Sequence, residues 1–434
     1  MRMLLRPARV APAAGRDPRS PARTALAALA LAGVAGCATT SSPAPAAPVV
    51  DAAPVAAAVA VEPAGPDALE TYDAEALLLR GLDLLEGEAW SEAADYFERL
   101  IREFPGDERA VLAHYNRGVA YIHLNRGDEA VAAFDAYLAG LGDHADAKDV
   151  LDARFKRGQA LAAAQRYADV VEWFDGLLGE TLSPDDRVEA LVDAGIGHYM
   201  LGLQPGGEQM HRPTAEYRFL EARRIVKQES ASRRMDHMQF FMGQSAFYLA
   251  ELAHLDFLDF KLQWPTQADI AARKAKEPTS TLESLLGAQL EEKCQRLLRA
   301  QYQYLRAIRE GHAGWAAASG YGVGRMYEEL HAEMTALPAP TDLTAEQQAL
   351  YQSLVRKKVL VLLEKAEKTY AQTTEMVVRT GTAGVWAEKA RVSLENIRKR
   401  LLDESTALAA DDTGDASAPT LPVADAGRGE KGKS

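Results

Sequence analysis

The chain has only two cysteines in 434 residues, Cys37 and Cys294, so it can build neither a disulfide framework nor an all-cysteine metal site. Aromatics are scarce, at 7%, and strand signals are nearly absent, with no long run alternating Val, Ile or Thr with polar residues. The uncharged run near the amino terminus, 24-TALAALALAGVAG-36, would rise about 20 Å as a helix, too short for a ~30 Å hydrocarbon core. Positive charge is in deficit, with 49 Lys and Arg against 62 Asp and Glu. A surface at −13 repels phosphates, which sets aside general nucleic-acid binding.

Motifs of catalysis and cofactor binding are missing as well. There is no G-x-x-x-x-G-K-[ST] phosphate loop and no H-E-x-x-H zinc motif. Gly320, Gly322 and Gly324 spell G-x-G-x-G, but inside a helical pattern and with the wrong last spacing for a dinucleotide fingerprint, so they read as packing glycines. His198, His211 and His237 are separated by insertions and lack a carboxylate at ligand spacing. Ser183, Ser245 and Ser319 lie outside any G-x-S-x-G context. Asp256 and Asp259 read as solvated acids. Arg223, Arg224, Lys227, Arg233 and Arg234 read as a solvated stripe balanced by Glu216, Glu221 and Glu229. Cys294 reads as a buried, inert thiol among Leu290, Leu297 and Leu298. The expectation is a non-enzyme with no cofactor and no metal.

What is there begins with a targeting pattern. Residues 1–36 place six arginines before the apolar run and end on small residues, as a secretory signal does. Residues 37–70 follow as an Ala/Pro tether, where repeated prolines deny amide donors and favour extended chain. Residues 411–434 have no periodicity and read as a disordered tail. Between them apolar residues recur at three and four, as helices require: 71–251 as repeats, 252–280 as an irregular connection that packs on the array or meets a partner, and 281–410 as longer helices.

The repeats show in small residues at fixed offsets. Gly81 is followed by Ala93 and Phe97, Gly118 by Ala130 and Phe134, and Gly158 by Val170 and Phe174, always at twelve and sixteen. Gly195 precedes Ala215 and Phe219 at the same internal spacing after an eight-residue insertion, and Gly243 opens a degenerate fifth unit. Ala300, Tyr304 and Ala307 echo the second-helix spacing. A glycine lets the second helix of a hairpin approach, and the small residue is expected to sit against it. One hairpin cannot bury its apolar face alone, so neighbours must stack.

Two resemblances add to this. Val34-Ala35-Gly36-Cys37 resembles the lipobox of bacterial lipoproteins, which implies acylation of Cys37, cleavage before it and, with Ala38 next, an outer-membrane destination facing the periplasm. The hairpin pattern resembles the tetratricopeptide repeat, although the glycine spacings of 37, 40, 37 and 48 depart from a strict 34. The segment 304-YLRAIREGHAGWAAASGYGVGRMYEEL-330 is similar to helical lipoproteins of predatory or gliding deltaproteobacteria. Together they imply an all-α, tetratricopeptide-like solenoid on a lipid anchor. It would hold envelope proteins in an assembly, secretion or motility complex. The alternative is a solute- or glycan-binding envelope lipoprotein.

Overall fold

The computed structural model describes residues 72–142, 146–229, 238–279, 281–340 and 343–414, which form fourteen helices and no strand. The signal segment, Cys37 and the whole of the tether lie outside the described residues, as do His237, Arg233, Arg234 and the tail from residue 415.

Helices α1 (Ala74–Glu86) and α2 (Trp90–Glu103) pair as the first hairpin, α3 (Glu108–His123) and α4 (Gly127–Gly140) as the second, and α5 (Ala147–Ala163) and α6 (Tyr167–Leu178) as the third. Each first helix starts on an aspartate, Asp73, Asp107 or Asp146, whose carboxylate accepts a backbone N–H of the first turn. The three second helices have no side-chain cap. They start instead from a tight turn with Glu88, Asn125 or Gln165 in the left-handed region, each seven residues after the hairpin glycine.

In the fourth hairpin, α7 (Pro184–Leu201) starts at Ser183 and α8 (Glu208–Glu229) follows. The insertion is absorbed in two ways: the turn lengthens, and α8 gains extra turns ahead of Ala215, with Pro213 inside the helix. Helix α9 (Gln239–Asp259) pairs with α11 (Leu282–Arg309) across the short α10 (Gln267–Lys274). Helices α12 (Ala313–Ala336) and α13 (Ala345–Thr380) make the sixth hairpin, and α14 (Val385–Gly414) packs on both.

Two boundaries differ from the sequence reading. The irregular connection starts only at Phe260, because 252–259 complete α9 and Phe257 and His254 face its core. At the other end α14 continues to Gly414. The stretch 260–266 packs on the array, where Trp264 donates its indole N–H to the Pro338 carbonyl at 2.7 Å and the Leu262 N–H bonds Glu333 at 2.7 Å.

Lys293 explains why α9 can end there. It is fully buried, and its ammonium donates to the carbonyls of Phe257 at 2.7 Å and Phe260 at 2.6 Å while pairing with Glu333 at 2.7 Å. Three donors meet three acceptors, two of them carbonyls left over at a helix end. Burial pushes the Lys293 pKa down, and Glu333 opposes it. Cys294, one residue on, is exposed rather than buried. The buried positions of α11 are Lys293, Leu297, Ala300, Tyr304 and Ala307, so Cys294 and Leu298 fall about 100° round the helix from that stripe.

Candidate interaction surface

The sequence-predicted packing residues meet in pairs, though with different partners from those expected. Phe97, Phe134, Phe174 and Phe219 are fully buried, as are Ala93, Ala130 and Ala215, with Val170 nearly so. What lies against each glycine is the aromatic ring rather than the alanine. A Cβ on Gly81 would stand 2.5 Å from the Phe97 ring, one on Gly118 2.8 Å from Phe134, and one on Gly195 2.7 Å from Phe219. Gly158 meets Phe174 in the same way. The ring lies flat where a side chain would be, which sets how closely the two helices of each hairpin approach.

The pattern persists in the carboxyl half. Gly324 of α12 faces Tyr370 of α13, and Ala366 precedes Tyr370 by four, the small–aromatic spacing again. Sequence reading missed this pair because Val359, Leu360, Leu362 and Leu363 dominate that helix; searching for a small residue four before a tyrosine would have found it. Tyr304 presses on Gly322 of the following helix, at 2.5 Å from a Cβ built there, rather than on a glycine of its own hairpin. Gly243 lies against Trp315 and His312 of α12, so α9 carries no glycine of the kind seen in the first four units.

A buried polar network joins the two halves. Glu251 of α9 accepts from the Tyr199 hydroxyl of α7 at 3.2 Å, from the Tyr304 hydroxyl of α11, and from Arg325 of α12 at 3.1 Å. His254 Nδ1 accepts from Arg325 at 2.9 Å, which leaves Nε2–H to donate to Glu329 at 2.5 Å. Burial, the largest single influence, would raise the Glu251 pKa, but Arg325, His254 and the Tyr304 hydroxyl together outweigh it and the carboxyl is held low. Burial, reinforced by Glu251, pushes the Tyr304 hydroxyl well above its usual value.

Other groups read as isolated in the sequence are also paired. His198 and His211 lie with Nδ1 atoms 2.9 Å apart, because the insertion folds α8 back over α7. Asp256 pairs with Arg296 and Arg299, and Asp259 with Arg212. Arg223 is buried, bonding the Met242 carbonyl and Glu310, while Arg224 pairs with Glu221. The hydroxyls of Ser245 and Ser319 bond their own helix backbones, and that of Ser183 caps α7. Among the described residues no group of three His, Cys, Asp or Glu could hold a metal ion, and no helix is long and apolar enough to cross a membrane.

A depression of about 530 Å³ lies between α5 and α6. Its wall is Trp173, held by an indole N–H to the Arg154 carbonyl at 2.9 Å and stacked under the Arg157 guanidinium at 4.1 Å. Its rim charges are paired, Arg154 with Glu180 and Arg157 with Asp135. Exposed large apolar side chains occur along the whole array, among them Val378 of α13 and Leu402 of α14. Leu79, Leu82 and Leu112 lie on the first helices α1 and α3; Met210, Tyr217, Leu220, Leu298 and Tyr302 lie on the second helices α8 and α11.

Repeated helix hairpins with glycine–aromatic contacts, stacked and closed by a last helix, define a tetratricopeptide-like solenoid. A family model described as tetratricopeptide repeat matches residues 51–108 and 78–149, the first match reaching back into the Ala/Pro-rich segment. None of the curated proteins matches the chain. Among solved structures, the C-terminal part of a TPR repeat-containing protein from Cytophaga hutchinsonii is 10% identical, over 75% of this chain and 98% of that one, with a TM-score of 0.34. A tetratricopeptide repeat protein from Parabacteroides merdae is 12% identical over 71% and 99%, with a TM-score of 0.33. A TPR repeats protein from Bacteroides fragilis is 14% identical over 60% and 99%, with a TM-score of 0.26. Tetratricopeptide repeats generally bind protein partners, and the matched repeats point to a protein–protein interaction scaffold.

Proposed function

We propose that the chain is a lipid-anchored scaffold on the periplasmic side of the outer membrane, holding other envelope proteins in an assembly, secretion or motility complex. The observation that carries the scaffold reading is the unbroken stack of six hairpins, which exposes side chains of every hairpin along one continuous array. The anchor rests on the sequence ending Val34-Ala35-Gly36-Cys37 and on the proline-rich tether behind it. Acyl chains at Cys37 would hold the chain at a membrane while the tether lets the solenoid reach its partners.

The test has two parts. Wild-type protein should incorporate labelled palmitate and stay with outer-membrane density through a high-salt wash, and Cys37→Ser should do neither. A Cys37→Ser protein that still labels and resists the salt wash refutes the anchor. For the scaffold, capture of the tagged chain from native membranes should return the same protein partners reproducibly. Saturable binding of a purified glycan or metabolite with no protein partner would overturn it.

A further inference from the structure

The outer faces of the second helices change character along the array. Counting from the buried aromatic of each, the residues two before and one after share the outward side. They are Asp95 and Glu98 in α2, Ala132 and Asp135 in α4, and Glu172 and Asp175 in α6. In α8 the same two positions are Tyr217 and Leu220, and in α11 they are Tyr302 and Leu305. Met210 and Leu298 extend this face. Relative exposures are 66% for Met210, 59% for Tyr217, 59% for Leu298 and 57% for Tyr302.

Charge changes with it. Helices α4 and α6 each carry three acids and no Lys or Arg, whereas α8 carries five bases against four acids, with Arg223 buried on Glu310 and with Arg212, Arg218 and Arg224 paired to Asp259, Asp175 and Glu221. In α11 the stretch from Lys293 to Arg309 holds five bases and no acid; Lys293 is buried, Arg296 and Arg299 pair with Asp256 of α9, and Arg306 and Arg309 lie four and seven residues after Tyr302, on its side of the helix. Arg306 lies over the Tyr302 ring at 6.0 Å.

We infer that the outward face of α8 and α11 rests on an anionic lipid surface. Tyrosine, leucine and methionine raised from a helix face, with arginines beside them, match the interfacial region of a bilayer. There the rings sit at headgroup level and the guanidinium groups reach phosphate while their stems cover apolar surface. The acidic faces of α2, α4 and α6 would be repelled from the same surface, so contact is confined to the carboxyl half and the amino-half hairpins stand clear of it. The proposal deepens the anchored-scaffold reading by assigning its orientation, yet binding of lipid by this face does not require acylation at Cys37.

The test uses the full chain with Cys37→Ser, so that no acyl anchor contributes, and vesicles of phosphatidylcholine with or without phosphatidylglycerol. Co-sedimentation should be strong with phosphatidylglycerol, weak without it and reduced by salt. Tyr217→Ser with Tyr302→Ser should weaken it by about tenfold or more, while Arg306→Glu with Arg309→Glu should remove the preference for anionic lipid. Glu172→Ser should change nothing, and all variants should keep the parent melting temperature because the altered side chains lie on the surface. Two results would overturn the proposal. One is no binding to either vesicle, or binding that the tyrosine changes leave intact. The other is concentration-dependent self-association in vesicle-free solution that the tyrosine changes abolish, which would assign the face to a second copy. Neither touches the palmitate or capture results.

Discussion

The amino and carboxyl halves solve the same packing problem with different materials. From α1 to α8 every hairpin repeats one internal contact, a glycine in the first helix receiving the aromatic of the second, and the first three hairpins share one tight turn. From α9 onward only Gly324 against Tyr370 keeps that contact inside a hairpin, and other key contacts run between hairpins. Tyr304 leans on Gly322 of the next unit, Lys293 closes the end of α9 from α11, and Glu251 gathers groups from α7, α11 and α12. Repeats that close locally can be read from a fixed offset. Units that close through their neighbours cannot, because their partners lie at no constant distance in the chain.

The largest expected effect separates those two modes. Glu251→Ala leaves Arg325 and two tyrosine hydroxyls without their buried acceptor and should cost about 3–5 kcal/mol in urea unfolding. Glu98→Ala, an exposed acid in the amino half, should change stability by less than about 0.5 kcal/mol. Similar losses at both sites would remove the distinction.

A smaller effect tests the contact that both halves share. Gly118→Leu drives a side chain into the Phe134 ring and should cost roughly 1–3 kcal/mol or somewhat more, whereas Gly87→Leu, with only ordinary contacts around it, should cost much less. Gly324→Ala should behave as the Gly118 change does, through Tyr370. Equal thermal losses at 87 and 118 would mean the register is wrong.

That register was legible in the sequence because glycine, small residue and phenylalanine recur at twelve and sixteen, and most helices were legible from periodicity, but 252–280, read as an irregular connection, holds the end of α9 and all of α10. The polar joints were not. Nothing in the sequence marks Lys293 or Glu251, because charge is normally solvated, and only the three-dimensional convergence of helix-end carbonyls and Arg325 offsets the cost of their burial. His198 and His211 were masked by the insertion between them. Cys294 was misplaced because Leu298 beside it was counted as core when it is surface.

Acid should find the histidines first and the joint afterwards. His114, His123, His198, His312 and His331 all have pKa values lowered from 6.5 chiefly by burial. The unfolded chain therefore binds protons first, and stability should fall as pH drops below about 6.5. Glu251, held below 4.5, contributes stability that is lost only as pH falls further, through its folded value. Urea midpoints should decrease in order from pH 7.5 to 5.5 to 4; a midpoint that rises between 7.5 and 5.5 would contradict the assignment.

The smallest effect concerns the tight turns of the amino half. Gln165 adopts a left-handed conformation with φ of 60°, which glycine accepts without strain. Gln165→Gly should therefore raise stability by about 0.5–1 kcal/mol, read as a higher melting temperature.

The scaffold account is tested most directly by photo-crosslinking in native membranes. A photoreactive residue is placed in turn at Leu82 and Leu112 on the first helices and at Tyr302 on α11, all exposed positions. The account predicts discrete, reproducible protein adducts from the first-helix positions and lipid rather than protein adducts from Tyr302. Absence of protein adducts at every position, with the chain intact and membrane-bound, would contradict it.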